Sequence, residues 1–149
     1  MIEVIAVLVI LGIISAVVMV KVSSIIDESN LNSEGDVIKG HLRYAQALSM
    51  NNTLNWGITF SGGSYTIFTN PSTTVELPGG TGNPGALATA TLPSGMTITT
   101  GTVSFDSWGT PYTDTLATSL QTGGPRSFTL SLGGNTVTIL IWDDTGLIP

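Results

Sequence analysis

One histidine, one pair of adjacent aspartates and one isolated glutamate are the side chains whose types and spacing could support chemistry in this sequence. His41 is the only histidine, and the chain contains no cysteine. General-base catalysis by a single imidazole requires a nucleophile and an orienting acid beside it. Without cysteine there is no thiolate nucleophile, no thiolate metal site and no disulfide. His41 falls on the polar-rich half of a predicted helix, where a solvated or packed histidine is usual, so we expect no enzyme.

Asp143 and Asp144 are the candidate metal ligands, and Thr145 and Gly146 follow them. Adjacent carboxylates beside a glycine can hold Ca²⁺ together with main-chain carbonyl oxygens. The alternating oxygen ligands of a dedicated calcium loop are absent, so the same four residues also fit an ordinary turn. Calcium is therefore the one cofactor for which the sequence offers a candidate site, and a turn is the alternative.

Two other patterns have the form of known motifs. Asn51, with Thr53 two positions later, fits the acceptor pattern for N-glycosylation, and the abundance of serine and threonine makes O-linked glycans an equal expectation. Residues 78–85 are rich in glycine and proline but lack the lysine and the flanking strand and helix of a phosphate-binding loop. We therefore expect a plain loop there.

Glu3 is a carboxylate in an otherwise apolar run, because residues 1–20 contain only Glu3 and Ser15 as polar side chains. As a helix this run would be about 30 Å long, which matches the hydrocarbon core of a bilayer. Burying a lone carboxylate in hydrocarbon costs roughly 2.5–3.5 kcal/mol or more. A place near the helix start offsets about 0.3–1 kcal/mol of this through the helix dipole. Glu3 therefore needs either an interfacial position or a charged partner.

A single long helix is the element that must position these residues. Residues 1–20 are predicted as a hydrophobic transmembrane or filament-core helix, and residues 21–52 as its amphipathic continuation, since no proline precedes Pro71. One helical face of the continuation is marked by Ile38, Leu42, Ala45 and Leu48. Poor helix formers cluster at residues 30–36, so we expect a bend there. Gly40 is a second, weaker candidate for a bend.

The remainder of the chain, residues 53–149, is predicted as a β-rich globular head. Thr, Val, Ile and aromatic residues alternate with polar ones between clusters of Gly, Pro and Asn. The strand candidates are residues 56–60, 65–68, 73–77, 88–92, 96–99, 102–105, 127–132 and 136–142. Turns at residues 61–63 and 133–135 predict two hairpins. The fold class expected is therefore α+β, with a long N-terminal helix packed on an antiparallel β-rich head.

The charge balance excludes some classes of partner. Ten acidic residues face four basic ones, giving a net charge of −6. Binding to nucleic acid requires clustered lysine and arginine, so we expect no nucleic acid partner. The first aromatic residue is Tyr44, so the apolar helix offers no rings for conduction along a stack.

The apolar helix with an early acid resembles the tail of the type IV pilin superfamily. Residues 2–16, IEVIAVLVILGIISA, carry this resemblance and match the family's defining tail closely. A weaker likeness to pseudopilins of type II secretion systems runs through residues 42–49, the hairpin at 56–68, the turn at 105–111 and the closing hairpin that ends at 145–149. The resemblance thus covers most of the chain, strongly over the first third.

The resemblance implies a structural, non-enzymatic subunit of a type IV pilus or pseudopilus. Such a subunit is processed by a prepilin peptidase and sits as a single-pass protein in the bacterial inner membrane with its head outside the cytoplasm. It then passes through an inner-membrane assembly platform into a homopolymer at the cell surface or across the periplasm. Glu3 would pair with the N-terminal amine of a neighbouring subunit. The small residues Ala6, Gly12, Ser15 and Ala16 would serve helix packing or flexibility.

Three features depart from the family pattern. The acid usually lies four residues after an N-methylated phenylalanine, whereas Glu3 lies two residues after Met1. We expect two residues and a leader to be missing before Met1, with unusual processing as the alternative. The tail also lacks the helix-bending proline of many pilins, and the head lacks their disulfide-bounded loop.

Two other functions remain open. The chain could be a minor pseudopilin or tip component of such a filament. It could also be a membrane-anchored adhesive module, whose head binds carbohydrate or protein. In that case Trp56, Trp108 and Trp142 would line a sugar platform, although tryptophans in a small β core are more often buried.

Overall fold

A computed structural model of the chain describes residues 2–69, 73–74 and 89–149, with the backbone alone for residues 17–24 and 73–74. The predicted glycine-rich loop at residues 78–85 lies outside the described residues. So does the end of the strand candidate at residues 73–77.

One uninterrupted helix, α1 (Ile2–Met50), forms the N-terminal third of the chain. Every residue in the segment 30–36, where a bend was expected, is helical, so α1 continues through it. Packing explains this result: Leu31 is fully buried against the head. A Cβ added at Gly35 would stand 3.3 Å from Val137 Cγ1, so the glycine permits close approach to the head. Tertiary contact here outweighs weak helix propensity.

Two halves of α1 differ in burial. Residues 2–16 are all exposed, whereas the second half has a buried stripe against the head. The stripe comprises Leu31, Gly35, Ile38, Leu42, Ala45 and Ser49. The spacing of three or four residues puts these side chains on one face, as predicted from residues 38–48. The head thus packs on one side of the second half only.

The head contains two antiparallel sheets in the described residues. The strands are β1 (Trp56–Phe60), β2 (Ser64–Thr69), β3 (Thr73–Thr74), β4 (Thr89–Thr91), β5 (Thr97–Ile98), β6 (Gly101–Phe105), β7 (Pro111–Tyr112), β8 (Arg126–Leu132) and β9 (Asn135–Ile141). In the larger sheet the order is β3-β2-β1-β6-β7, and β4 pairs with the end of β2 that β3 leaves open. The smaller sheet has the order β5-β8-β9.

The predicted strands all appear at or within about two residues of their expected positions where the structure describes them. Both predicted hairpins are confirmed, since β1 pairs with β2 and β8 with β9. The short strand β7 was not predicted. It has two residues and begins with Pro111, so it has neither the length nor the alternation of a strand signal.

The hydrophobic core lies between α1 and the two sheets. Phe60 of the larger sheet and Phe128 of the smaller sheet have ring centroids 4.5 Å apart, which joins the two sheets. Leu42 and Ile38 of α1 are fully buried against them. The predicted α+β class, a helix and antiparallel sheet, is confirmed.

Across the part of the chain that the structure describes, we find no helix with the length and apolarity needed to cross a membrane. The span expected over residues 1–20 reaches beyond that part, since Met1 and the side chains of residues 17–20 lie outside it.

Candidate functional site

The first half of α1 presents apolar side chains on all sides. Ten large apolar residues between Ile2 and Ile14 each expose at least 54% of their surface. Ser15 is satisfied within the helix, because its hydroxyl donates a hydrogen bond to the Leu11 carbonyl oxygen at 2.7 Å. Isolated exposed apolar residues are ordinary, but a contiguous surface of this kind marks an interaction site. Residues 2–16 are hereafter called the apolar segment.

Glu3 lies in the first turn of α1, with its side chain exposed. This position puts the carboxylate at the positive end of the helix dipole. Among the side chains that the structure describes, no cation lies within salt-bridge distance of Glu3. The Glu3 carboxylate is therefore accessible to a positive charge other than those of the described side chains.

The four small residues of the apolar segment do not share one face. At about 100° per residue, Gly12, Ser15 and Ala16 fall on neighbouring parts of the helix surface, whereas Ala6 lies about 120° from Gly12. Nothing lies within 4 Å of a Cβ added at Gly12. The four predicted packing residues are therefore spread over about half of the helix circumference and do not form one narrow stripe.

Polar side chains tie the second half of α1 to β6, to the turn that follows β6 and to the last residues of the chain. The Gln46 amide nitrogen donates hydrogen bonds to the carbonyl oxygens of Gly109 at 3.0 Å and Gly146 at 3.1 Å. The Arg43 guanidinium donates to the Ile148 carbonyl oxygen through Nε at 3.2 Å and Nη2 at 2.8 Å. The Ser49 hydroxyl donates to the Phe105 carbonyl oxygen. These bonds fix the direction in which α1 leaves the head.

His41 contacts Tyr65 across the interface between α1 and β2. A hydrogen bond of 2.8 Å joins His41 Nδ1 and the Tyr65 hydroxyl. Burial lowers the pKa of His41 below its ordinary value, and burial also raises the pKa of Glu34, which lies about two turns earlier on the same face of α1. The pKa of Tyr65 is raised, first by burial and second by the charge of Glu34. This is the environment of a packed histidine between a helix and a sheet.

Asp143 and Asp144 lie in the last turn of the chain. Asp143 Oδ2 accepts a hydrogen bond from the Gly124 amide at 2.7 Å, while Asp144 is exposed. Both line an open groove of about 340 Å³ with Gln121. Within the described ranges, no three His, Asp or Glu side chains come together as a set that could hold a metal ion. Asp143 therefore ties the loop before β8 to the turn after β9.

Asn51 directly follows α1 and is exposed. Its side-chain amide donates to the Ala47 carbonyl oxygen at 2.7 Å, and its main-chain amide donates to the same oxygen at 3.1 Å. The side-chain nitrogen that a glycan would need therefore caps the end of the helix in this structure.

The three tryptophans do not form one platform. Trp56 is only 7% exposed and belongs to the core, whereas Trp108 is 85% exposed. Trp142 is partly exposed but does not line the groove beside Trp108. The alternative of a three-tryptophan sugar platform is therefore wrong for Trp56, which is buried in the core, as is usual for tryptophan in a small β domain.

Trp108 is presented by a rigid turn that follows β6. Asp106 Oδ1 accepts hydrogen bonds from the amides of Trp108 and Thr110, both at 2.9 Å, and its Oδ2 accepts one from the Tyr112 hydroxyl at 3.2 Å. Gly109 has φ +79°, which a residue with a side chain adopts only with strain. This turn holds the indole out towards solvent beside the end of α1.

An open groove of about 550 Å³ lies beneath Trp108, and we call it the distal groove. Its lining includes Arg43, Gln46, Met50, Trp108, Leu147 and Ile148. Sequence reasoning placed Trp108 in a turn but missed the groove, because three segments far apart in the chain build it. The only local signal was the sequence Asp-Ser-Trp-Gly, which is typical of a tight turn.

Comparison of the chain with family models, with curated proteins and with solved structures finds no match.

Proposed function

We propose that the chain is a structural subunit of a type IV pilus or pseudopilus filament and that it polymerises through its apolar segment. The observation that carries this proposal is the exposure of every residue from 2 to 16, on a helix whose second half is firmly packed on the head. The similarity of the sequence to pilin tails supports the same function. No chemical site is needed for it.

The distribution of the apolar side chains favours a polymer over a simple pair. Full burial of one large aliphatic side chain is worth about 1.5–3 kcal/mol, and ten such side chains are exposed in the apolar segment. A single flat partner covers only one side of a helix. Because the side chains of this segment point in all directions, an environment that surrounds the helix is needed. Copies of the same helix in a filament core supply that environment, and the inner membrane supplies it before assembly.

Glu3 gives such a core its register. A carboxylate enclosed by apolar helices is costly unless a positive charge lies beside it. In the proposed filament, the N-terminal amine of a neighbouring subunit supplies that charge. Only helices docked at the correct height bring the two charges together, so Glu3 selects the correct register. A prepilin peptidase and an inner-membrane assembly platform are the partners that this route requires.

Replacement of Glu3 tests the proposal. Cells that express the chain with Glu3→Ala or Glu3→Gln should yield no filaments by electron microscopy of sheared surface material. The circular dichroism of the purified full-length chain in detergent should stay unchanged, because Glu3 lies in the first turn of α1, far from the head. Glu28→Ala is the matched control, since it removes an exposed carboxylate from the same helix outside the apolar segment.

Three outcomes would contradict the proposal in whole or in part. Normal filaments from the Glu3→Ala chain would rule out the role given to Glu3. A wild-type chain that remains a monomer in detergent under all conditions, with no filaments on cells, would favour a membrane-anchored adhesive module instead. Filaments that contain this chain only at their tips would favour a minor subunit.

A further inference from the structure

The distal groove has the size and the lining of a site for a small organic ligand. Its volume of about 550 Å³ lies within the range of about 300–1,000 Å³ that is typical of ligand pockets. Met50 and Leu147 contribute apolar surface to it, and a few polar side chains join them. Such pockets hold a ligand through apolar contact and select it through a small number of polar groups.

Trp108 offers a flat apolar face to such a ligand. This residue is 85% exposed, whereas Trp56 and Trp142 are 7% and 45% exposed. The main-chain amides of Trp108 and Thr110 both bond Asp106 Oδ1, so the turn that carries the indole is fixed before a ligand arrives. A side chain that is already held in place loses less entropy on binding. The indole is therefore suited to stack on a ring of the ligand.

Arg43 brings a positive charge to the groove, and one edge of its guanidinium is free. Nε and Nη2 both donate to the Ile148 carbonyl oxygen, which occupies the side edge of the planar group. Among the described residues Nη1 has no recorded partner, so the end edge formed by Nη1 and Nη2 stays open. The parallel N–H groups of such an edge match the two oxygens of a carboxylate. No carboxylate of the described residues lies within salt-bridge distance of Arg43.

The charge of the groove differs from the charge of the whole chain. The chain has ten acidic and four basic residues, yet Arg43 is the only charged residue among the described ones that line the groove. An anionic ligand is therefore repelled by most of the protein surface and attracted at this point. This contrast favours a ligand that carries a carboxylate.

Two further polar side chains favour a ligand that also has hydroxyl groups. Gln46 Nε2 donates to main-chain oxygens that include those of Gly109 and Gly146, so the orientation of the amide is fixed and Oε1 remains an acceptor without a recorded donor. The Thr145 hydroxyl oxygen accepts from the Leu147 amide at 3.2 Å and keeps its own proton for donation. A sugar hydroxyl both donates and accepts, so it satisfies either group. An aromatic acid has a flat face and a carboxylate but lacks these hydroxyls.

We propose that the distal groove binds an acidic saccharide, such as a chain of uronic acid units. The carboxylate of one unit lies on the free edge of Arg43, and the C–H face of its ring stacks on the indole of Trp108. Hydroxyl groups of the same saccharide bond Gln46 Oε1 and the Thr145 hydroxyl. This activity goes beyond the filament function and does not depend on it, because residues of a single chain form the groove.

A matched set of ligands tests the proposal on the full chain in a non-ionic detergent at neutral pH. Trigalacturonate and trimannuronate are the acidic probes, and their fully methyl-esterified trimers keep the rings and hydroxyl groups but lose the charge. Isothermal titration calorimetry should give, for at least one acid, a dissociation constant about tenfold or more below that of its ester. Tryptophan emission should shift to shorter wavelength on binding, because the indole of Trp108 leaves the solvent.

Variants locate the binding in the groove. Trp108→Ala should raise the dissociation constant about tenfold or more, whereas Trp142→Ala removes a partly exposed indole outside the groove and should leave it unchanged. Arg43→Gln should bring the constants for acid and ester to within about twofold of each other, whereas Lys39→Gln, which removes another positive charge from α1, should not. Since Arg43→Gln also removes the bonds to Ile148, urea denaturation checks its folding. The comparison of acid with ester and the result for Trp108→Ala stand without it.

Four results would overturn this inference. Esters that bind as tightly as the acids would show that the groove does not recognise the charge, and no measurable binding of either acid at millimolar concentration would remove the activity. A Trp108→Ala chain that binds like the wild type would place the saccharide elsewhere. A peptide, acetyl-Phe-Glu-Phe amide, that binds more tightly than both acids would assign the groove to a protein partner. None of these results bears on the filament function, which the Glu3 variants test.

Discussion

The side-chain amide of Gln46 donates a hydrogen bond to the carbonyl oxygen of Gly146 at 3.1 Å, joining α1 to the last turn of a chain one hundred residues further on. The same nitrogen lies 3.0 Å from the carbonyl oxygen of Gly109. A Cβ added at Gly146 would stand 2.4 Å from the Gly109 oxygen and 2.5 Å from Gln46 Nε2. The three residues thus form one closely packed point of attachment between the helix and two loops.

Removal of this attachment should weaken the head. Gln46→Ala leaves two main-chain oxygens without their donor, so we expect the free energy of unfolding to fall by about 1–3 kcal/mol. Urea denaturation of the full chain in detergent, followed by tryptophan fluorescence, measures it. A change below a few tenths of a kcal/mol would show that water replaces the amide at no cost.

Gly146→Ala should be more harmful than Gln46→Ala. Gly146 combines φ +61° with the two short approaches described above, so backbone strain and a steric clash add together. Gly123→Ala is the matched control, because Gly123 has φ +91° but nothing within 4 Å of its added Cβ. The difference between the two alanine variants in denaturation isolates the clash. Equal losses would mean that the loops shift to admit the methyl group.

The two halves of α1 should respond oppositely to truncated side chains. Leu42 is fully buried, so Leu42→Ala should cost the head about 2–5 kcal/mol of unfolding free energy. Leu8 is exposed, so Leu8→Ala should change that free energy by less than about 0.5 kcal/mol while it lowers filament yield. Denaturation and electron microscopy of the same two variants provide the comparison. A head destabilised by Leu8→Ala would show that the apolar segment folds back on it.

Acidification should weaken the contact between α1 and β2. Burial lowers the pKa of His41, so the unfolded chain binds a proton more readily than the folded one. Stability from this residue is therefore present above the ordinary histidine pKa, about 6.5, and is lost as the pH falls below it. Glu34 acts in the opposite direction at lower pH, because burial raises its pKa and the folded state then takes up the proton first. Denaturation at pH 7.5 and 5.5 should show a loss in the wild type and a smaller loss in His41→Gln.

Asp106→Ala should change the titration of Tyr112. The pKa of Tyr112 is raised by burial and, beyond that, by the charge of Asp106 and the hydrogen bond to it. Loss of the carboxylate should therefore lower this pKa towards the ordinary tyrosine value, while the contribution of burial stays. Ultraviolet titration of the phenolate reports the shift, and Asp36→Ala is a control that removes an exposed carboxylate from α1. An unchanged titration curve would mean that Tyr112 does not bond Asp106 in solution.

Elements with a clear hydrophobic period were predictable from the sequence. The buried stripe at Ile38, Leu42 and Ala45 follows from spacing alone, and the hairpins follow from Gly-Gly turns between alternating residues. The single long helix was predicted from the absence of proline before Pro71. The packing of Leu31 and Gly35 against the head, within the segment where a bend was expected, was not predictable because it depends on segments far away in the chain.

The candidate functional residues also divide into those that the sequence predicts and those that it does not. Glu3 and the apolar segment could be identified from the sequence, since a single carboxylate in a continuous apolar stretch is a local pattern. The distal groove joins Arg43, Trp108 and Leu147, which are far apart in the chain, and no local pattern indicates such a meeting. Hydrogen bonds from side chains to main-chain oxygens, such as those of Gln46, could not be predicted from the sequence either. Every residue has a main-chain oxygen, so the sequence does not indicate which one accepts.

The unbroken helix has a mechanical consequence. Its 49 residues make a rod about 73 Å long, and the head packs only on the second half of that rod. A force applied to the head is transmitted along the axis of α1 through the bonds of Arg43, Gln46 and Ser49, which attach at separate points and share the load. The near half plays no part in holding the head together. Tension on an assembled polymer would therefore load two separate sets of contacts. One set joins the head of a chain to the second half of its own α1, and the other joins the apolar segments of different chains.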